Sequence, residues 1–66
     1  MWIEITTNRK ESVMLNLNKI ATISPKVENT IWFCDEQSHT WEAIYKTNKD
    51  AILEYERLKG LLTKLP

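Results

Sequence analysis

Residues 30–45 read TIWFCDEQSHTWEAIY. Two runs rich in β-branched and aromatic residues, 30–34 and 39–45, flank the polar segment 35–38. Side chains that alternate between apolar and polar with a period of two are typical of strands, and a short polar segment between two such runs predicts a turn. We therefore expect a hairpin here, formed by the fourth and fifth strands of a sheet.

The faces of this hairpin indicate its register. We expect Phe33 to pair with Trp41, because the apolar side chains of both strands then lie on one face. The same register sets Ile31 opposite Ala43, and Tyr45 continues the shared face. This apolar face is predicted to belong to the core and to be covered by a helix.

The chain upstream predicts another hairpin. Ile3 and Ile5 share one face of a first strand, and the polar segment 8–10 follows as a turn. Val13 and Leu15 repeat the spacing of two after the turn. We expect Ile5 to pair with Val13, because a slip of one residue would bring a charged side chain onto the apolar face.

A corner and a third strand connect the two hairpins. Residues 16–20 read NLNKI and predict a tight corner, because asparagine favours turns and left-handed backbone. Leu17 is expected to point inward there. The third strand follows through residues 21–27, where Pro25 marks a sheet edge or a bulge because proline cannot donate a ladder hydrogen bond. Residues 28–29 predict the next turn.

A helix is predicted after the last strand. The hydroxyl of Thr47 can accept from the backbone N–H three residues on, as an N-cap does. Gly60 either ends the helix after Lys59 or lies inside it, where glycine costs about 1 kcal/mol relative to alanine. One apolar stripe along the helix is formed by Ala51, Ile52, Tyr55, Leu58, Leu62 and Leu65.

These elements make one domain over residues 1–66, with the sheet over about 1–46 and the helix over about 48–64. The predicted fold class is α+β: four to five short antiparallel strands in a curled sheet of two hairpins, with one C-terminal helix packed on one face. No apolar run approaches the roughly 20 residues of a membrane span. The lone Cys34 fits a reducing compartment, and the acidic Glu4 is unlike a signal peptide, so we expect a cytoplasmic protein.

The charge balance restricts the classes of partner. Nine basic and nine acidic residues give a formal net charge of zero. Nucleic-acid binders of this size carry a basic stripe that neutralises phosphates, so nucleic acid is not an expected partner. A single glycine excludes a glycine-rich phosphate loop.

The polar residues give no catalytic or metal-binding pattern. In the preferred register Cys34 and His39 lie on opposite sides of the sheet; in a register one residue shorter they would meet, but two ligands fall short of the four of a structural zinc site. Asp35 and Glu36 are adjacent in a turn and point apart. We therefore expect no catalytic residue, no cofactor and no metal, and hence no enzyme.

Three tryptophans in 66 residues are the most informative excess in the composition, because tryptophan is enriched at the centres of interfaces. Trp41 shares the core face of its hairpin. Trp2 and Trp32 fall on the opposite face, which the same helix cannot cover. The leucine-rich end of the helix offers a second contact. The residues predicted to contact a partner are Trp2, Met14, Trp32, Ile44, Leu61 and Leu62.

The predicted function is a small protein–protein interaction module that acts as an accessory or regulatory factor through this aromatic sheet face. A domain this small gains stability from an additional interface, so we expect either a homodimer or a complex with a partner. The expected surface is the face of Trp2 and Trp32, or the helix end that carries Leu58, Leu61, Leu62 and Leu65. An inhibitor of a host enzyme, encoded by a phage or mobile element, would use the same face. A weak single-stranded nucleic-acid binder would stack bases on Trp32.

The corner carries a family resemblance. Residues 15–20 read LNLNKI, Ile23 follows three residues later, and the corner lies between two hairpins that precede one capped helix. This pattern resembles the small flagellar FlbD-type family, whose members have a similar length and a comparable L-N-x-x-x-I corner. The resemblance implies a non-enzymatic cytoplasmic accessory protein, and it assigns no functional residues.

Overall fold

The computed structural model describes residues 1–26 and 28–64. Val27 and Leu65, which the sequence pattern assigned to the third strand and to the helix stripe, lie outside the described residues. In chain order the elements are β1 (Trp2–Thr6), β2 (Ser12–Asn16), a 3₁₀ turn (Leu17–Lys19), β3 (Ile20–Lys26), β4 (Thr30–Asp35), β5 (Thr40–Ile44) and α1 (Asn48–Leu62).

Both predicted hairpin registers are confirmed. In the first hairpin Ile5 pairs with Val13, so the alternating apolar residues of β1 and β2 face the same side. In the second hairpin Phe33 pairs with Trp41, and Ile31 pairs with Ala43. Because side chains have a period of two along a strand, each register follows from which face is apolar.

The strands are divided between two antiparallel sheets. β1 and β2 form a two-stranded sheet, and β3, β4 and β5 form a three-stranded sheet with β4 in the middle. A bridge between Thr7 and Ala43 links the sheets. The α+β class with five antiparallel strands and a C-terminal helix is therefore confirmed, and the strands form two sheets in place of the one predicted.

The predicted corner is a 3₁₀ turn. The side chain of Asn16 accepts from the backbone N–H of Asn18 at 3.1 Å, which replaces a ladder bond and turns the chain. Leu17 is only 1% exposed, so the corner places its apolar residue inside. Pro25 lies on β3, an edge strand, as predicted. The register irregularity of β3 falls at Ala21, not at the proline.

The core lies between the inner faces of the two sheets and the helix. Its largest completely enclosed side chains come from the corner, from β4 and from α1. Helix α1 packs against β3 and β4, while β1 approaches β5. The residues of this core are Ile3, Ile5, Leu15, Leu17, Ile31, Phe33, Ala43, Ala51 and Leu58.

The helix begins at its predicted cap. The hydroxyl of Thr47 accepts from the backbone N–H of Asp50 at 3.1 Å. Ala51 and Leu58 are buried, as expected of the apolar stripe. The prediction for Ile52 is wrong, because this side chain is 49% exposed. Successive helical residues are about 100° apart, so Ile52 lies beyond the edge of the stripe.

Gly60 lies inside the helix, which continues to Leu62 and ends at Thr63. A Cβ atom at position 60 would meet nothing within 4 Å. Within the described residues the left-handed positions are occupied by residues other than glycine: Lys10, Glu28, Asn29 and Ser38. Gly60 is therefore not needed for a left-handed turn.

We expect Gly60→Ala to raise the free energy of unfolding by up to about 1 kcal/mol, because alanine has the higher helix propensity and restricts the unfolded chain. Urea denaturation followed by circular dichroism measures this change. Leu58→Ala is the matched control on the buried side of the helix and should lower stability by about 2–5 kcal/mol. A lower stability for Gly60→Ala would contradict the open environment at this position.

Candidate interaction surface

Trp32, Glu42 and Ile44 lie on the outer face of the three-stranded sheet, because their neighbours Ile31, Phe33 and Ala43 are buried. Trp32 lies in the middle strand and is 42% exposed. Its cross-strand neighbours are Ser24 on β3 and Glu42 on β5. Ile44, on the same outer face of β5, is 40% exposed.

Charged side chains flank the indole of Trp32. The Nζ atom of Lys26 lies 4.6 Å from the ring centroid of Trp32, in a cation–π arrangement. On the other side, Glu42 accepts a hydrogen bond from Nδ2 of Asn8 at 3.5 Å. One positive and one negative group therefore flank the ring. We call Trp32, Ile44, Lys26 and Glu42 the Trp32 face.

The outer face of the first hairpin carries another apolar pair. Trp2 is 63% exposed and Met14 is 55% exposed. In the register of this hairpin they are diagonal neighbours, within reach of each other's side chains. The hydroxyl of Ser12 donates to the carboxylate of Glu4 on the same face. The predicted aromatic face is thus divided: Trp2 and Met14 lie on one sheet, and Trp32 and Ile44 lie on the other.

The leucines at the end of the helix have a different environment. Leu61 and Leu62 are partly buried and pack against the core. Leu58, one turn earlier, is completely buried. Leu53 was not among the predicted contact residues, and it is 60% exposed. Leu53 lies two residues after Ala51, about 200° around the helix, so it is on the side opposite the apolar stripe.

A groove that the sequence did not indicate lies between the first hairpin turn and β5. It has a volume of about 440 Å³, and the half-buried Trp41 lies in its wall with Val13. Arg9, Glu11 and Glu42 supply its charged groups. The ring of His39 lies near Trp41, with centroids 6.3 Å apart. Trp41 therefore packs on the core, as predicted, and also borders solvent.

Asp35 organises the turn between β4 and β5. Its Oδ1 accepts from the backbone N–H groups of Gln37 at 2.9 Å and His39 at 2.8 Å, and its Oδ2 lies 3.0 Å from Nδ1 of His39. Burial acts to raise the pKa of Asp35, but the hydrogen bonds from His39 and Gln37 outweigh it, so the pKa is lowered.

The cysteine and the histidine of this hairpin do not converge. Cys34 pairs with Thr40, so its side chain lies on the opposite face from His39 and Trp41. No group of three or more potential metal ligands occurs within residues 1–26 and 28–64. The imidazole of His39 instead bonds to Asp35, which gives it a structural partner.

Tyr45 connects the end of β5 to the helix. Burial raises the pKa of its hydroxyl to about 12, and the negative charge of Glu54 adds to this shift. Glu54 is held by Arg57 through two hydrogen bonds of 2.6 and 2.8 Å. The folded protein therefore retains the Tyr45 proton at a pH where the unfolded chain, with a pKa near 10.0, has released it.

We expect the native protein to lose stability as the pH rises from about 10 through about 12, because ionisation of Tyr45 favours the unfolded chain. Tyr45→Phe should lose less stability over the same interval. Denaturant unfolding at a series of pH values measures the difference. Tyr55→Phe is the control, and an equal flattening of the pH dependence in that variant would contradict the assignment to Tyr45.

No known protein family, curated protein or solved structure matches this chain. No helix in the described part of the chain is long and apolar enough to cross a membrane. The functional proposal therefore depends on the exposed surfaces and their chemistry.

Proposed function

We propose that this chain is a small non-enzymatic protein–protein interaction module, an accessory or regulatory factor that binds a protein partner through the Trp32 face. The observation that carries this proposal is the position of Trp32: a tryptophan 42% exposed in the middle strand of a sheet, with the Nζ atom of Lys26 4.6 Å from its ring centroid. Tryptophan has only two side-chain torsions to order, so it binds with little loss of conformational entropy.

The surroundings of Trp32 support a protein as the partner. Binding hot spots are enriched in tryptophan and are surrounded by polar side chains that exclude water when the partner docks. Ile44 adds apolar area beside the indole, and the exposed Thr22 and Thr40 border it with short polar groups. A partner that offers an apolar pocket with a polar rim would complement this arrangement.

The charges of the Trp32 face disfavour a phosphate backbone as the partner. Lys26 lies over the ring, and Glu42 lies beside it, so the positive charge at the indole is balanced. Base-stacking platforms combine aromatic rings with a positive groove. A neutral face with a central indole is better suited to a protein surface.

The resemblance to the FlbD-type family supports the accessory role, and the lone Cys34 supports a cytoplasmic location. Both are part of this proposal. We leave Leu61 and Leu62 out of the contact surface, because their packing on the core accounts for their apolar character.

The test compares two serine substitutions in affinity capture from the cells that naturally produce the protein. We expect Trp32→Ser to reduce capture of the partner by at least about tenfold, since loss of a central tryptophan commonly costs 2 kcal/mol or more of binding. Ile52→Ser removes an apolar side chain of similar exposure, 49%, from the helix and should leave capture unchanged.

Mass spectrometry identifies the partner, and titration of the purified pair measures both variants. Equal affinity for Trp32→Ser and the native chain would contradict the proposal. So would a nucleic acid that binds the native chain at low salt and is released as salt is added. Circular dichroism of each variant confirms that it is folded.

A further inference from the structure

The backbone of β2 has an unpaired edge. At the first hairpin turn, the backbone N–H of Thr7 donates to the carbonyl of Glu11 at 2.8 Å, so odd-numbered residues exchange hydrogen bonds between β1 and β2. Hydrogen-bonding direction alternates along an antiparallel pair. Ser12 and Met14 therefore direct their N–H and C=O groups away from β1.

This edge has no cover within the described residues. β1 is the only strand of residues 1–26 and 28–64 that pairs with β2, and no backbone bond reaches Ser12 or Met14 from a loop. Ser12 and Met14 are both exposed. Such a row of free donors and acceptors is a template for pairing with another chain.

The other edges are protected in ways that β2 is not. β3 carries Pro25, the charged Lys26 and a register irregularity at Ala21. The outer side of β5 is bridged by Thr7. The sequence of β2, SVMLN, has neither proline nor a charged residue, and its pairing with β1 is regular. Native proteins use prolines, charges and bulges to block edge pairing, and β2 lacks all three.

The strand is complementary to itself. If two copies of β2 pair in antiparallel fashion with Met14 opposite Met14, all five residues of each strand face a residue of the other. Ser12 then faces Asn16, and Val13 faces Leu15 on the inner apolar side. The N–H and C=O groups of Met14 pair across the two-fold axis of this register, and those of Ser12 also point to the free edge. The C=O of Asn16 accepts within the 3₁₀ turn, so the pairing is centred on Met14. No like charges oppose each other.

We propose that two copies of this chain associate through their β2 edges and form a continuous antiparallel sheet in the order β1-β2-β2-β1. On its outer face the two Met14 side chains lie side by side, with Trp2 of each copy diagonal to its own methionine. The occupant is a second copy, since the uncharged strand matches itself in one register over its whole length. This interface is separate from the Trp32 face, so either proposal can fail without the other.

The decisive test exchanges charge at the two-fold axis. Met14→Lys and Met14→Glu each place like charges opposite each other, so we expect the dimer dissociation constant of either variant to rise about tenfold. An equimolar mixture of the two should recover the native dissociation constant, because lysine then faces glutamate. Analytical ultracentrifugation of the native chain, each variant and the mixture gives these constants.

Leu53→Lys and Leu53→Glu are the matched controls, because Leu53 is an apolar side chain of similar exposure, 60%, on the helix and outside the proposed interface. Both should leave the dimer constant unchanged. A native chain that stays monomeric up to about 1 mM, or a dimer that the Met14 variants do not weaken, would overturn the proposal. A mixture that stays as weak as its components would also overturn it.

Hydrogen exchange in the native chain provides a measurement that needs no variant. The amides of Ser12 and Met14 point to the free edge, so their exchange should slow as the protein concentration rises through the dimer constant. Amides of odd-numbered β2 residues already bond to β1 and should change less. Fast, concentration-independent exchange at Met14 in a chain that does dimerise would place the interface elsewhere and overturn the proposal.

Discussion

The alternation of side chains across β4 constrains the rest of the molecule. Ile31 and Phe33 are 0% and 1% exposed, so the residue between them must project from the opposite face. That residue is Trp32. Any shift of the strand that hid the indole would bring Phe33 into water, at a cost of about 1.5–3 kcal/mol for that side chain alone. The interior and the Trp32 face are therefore set by the same backbone.

Period and capping made much of the fold predictable. The hairpin registers follow from the alternation of apolar and polar side chains along each strand, and the start of the helix follows from the capping hydroxyl of Thr47. The division into two sheets does not follow, because how the hairpins meet is a long-range property: they are joined at a bridge between Thr7 and Ala43, which are distant in sequence. The exposure of Ile52, by contrast, follows from helix geometry: this residue lies about 100° around the helix from Ala51, and 49% of it is exposed.

The candidate surface was predictable to a similar extent. The alternation of side chains along β4 and β5 predicts that Trp32 and Ile44 lie on the outer face, and both residues are exposed there. Composition alone gave no reason to separate the helix-end leucines, which pack on the core, from Leu53, which does not. The groove beside Trp41 and the open edge of β2 both arise from the way that hairpins stack, which no local pattern encodes.

The single glycine of this chain does not lie at any of the positions where the backbone is left-handed. The chain has one glycine, which lies within a helix, while Lys10, Glu28 and Ser38 adopt left-handed backbone in turns at a cost of about 1 kcal/mol or more each. Exchanging the glycine with one of these residues would keep the amino-acid composition constant and relieve both positions. The order of the residues along the chain therefore limits the stability of this protein. A sequence of identical composition in which the glycine exchanges places with one of these residues would have a higher free energy of unfolding.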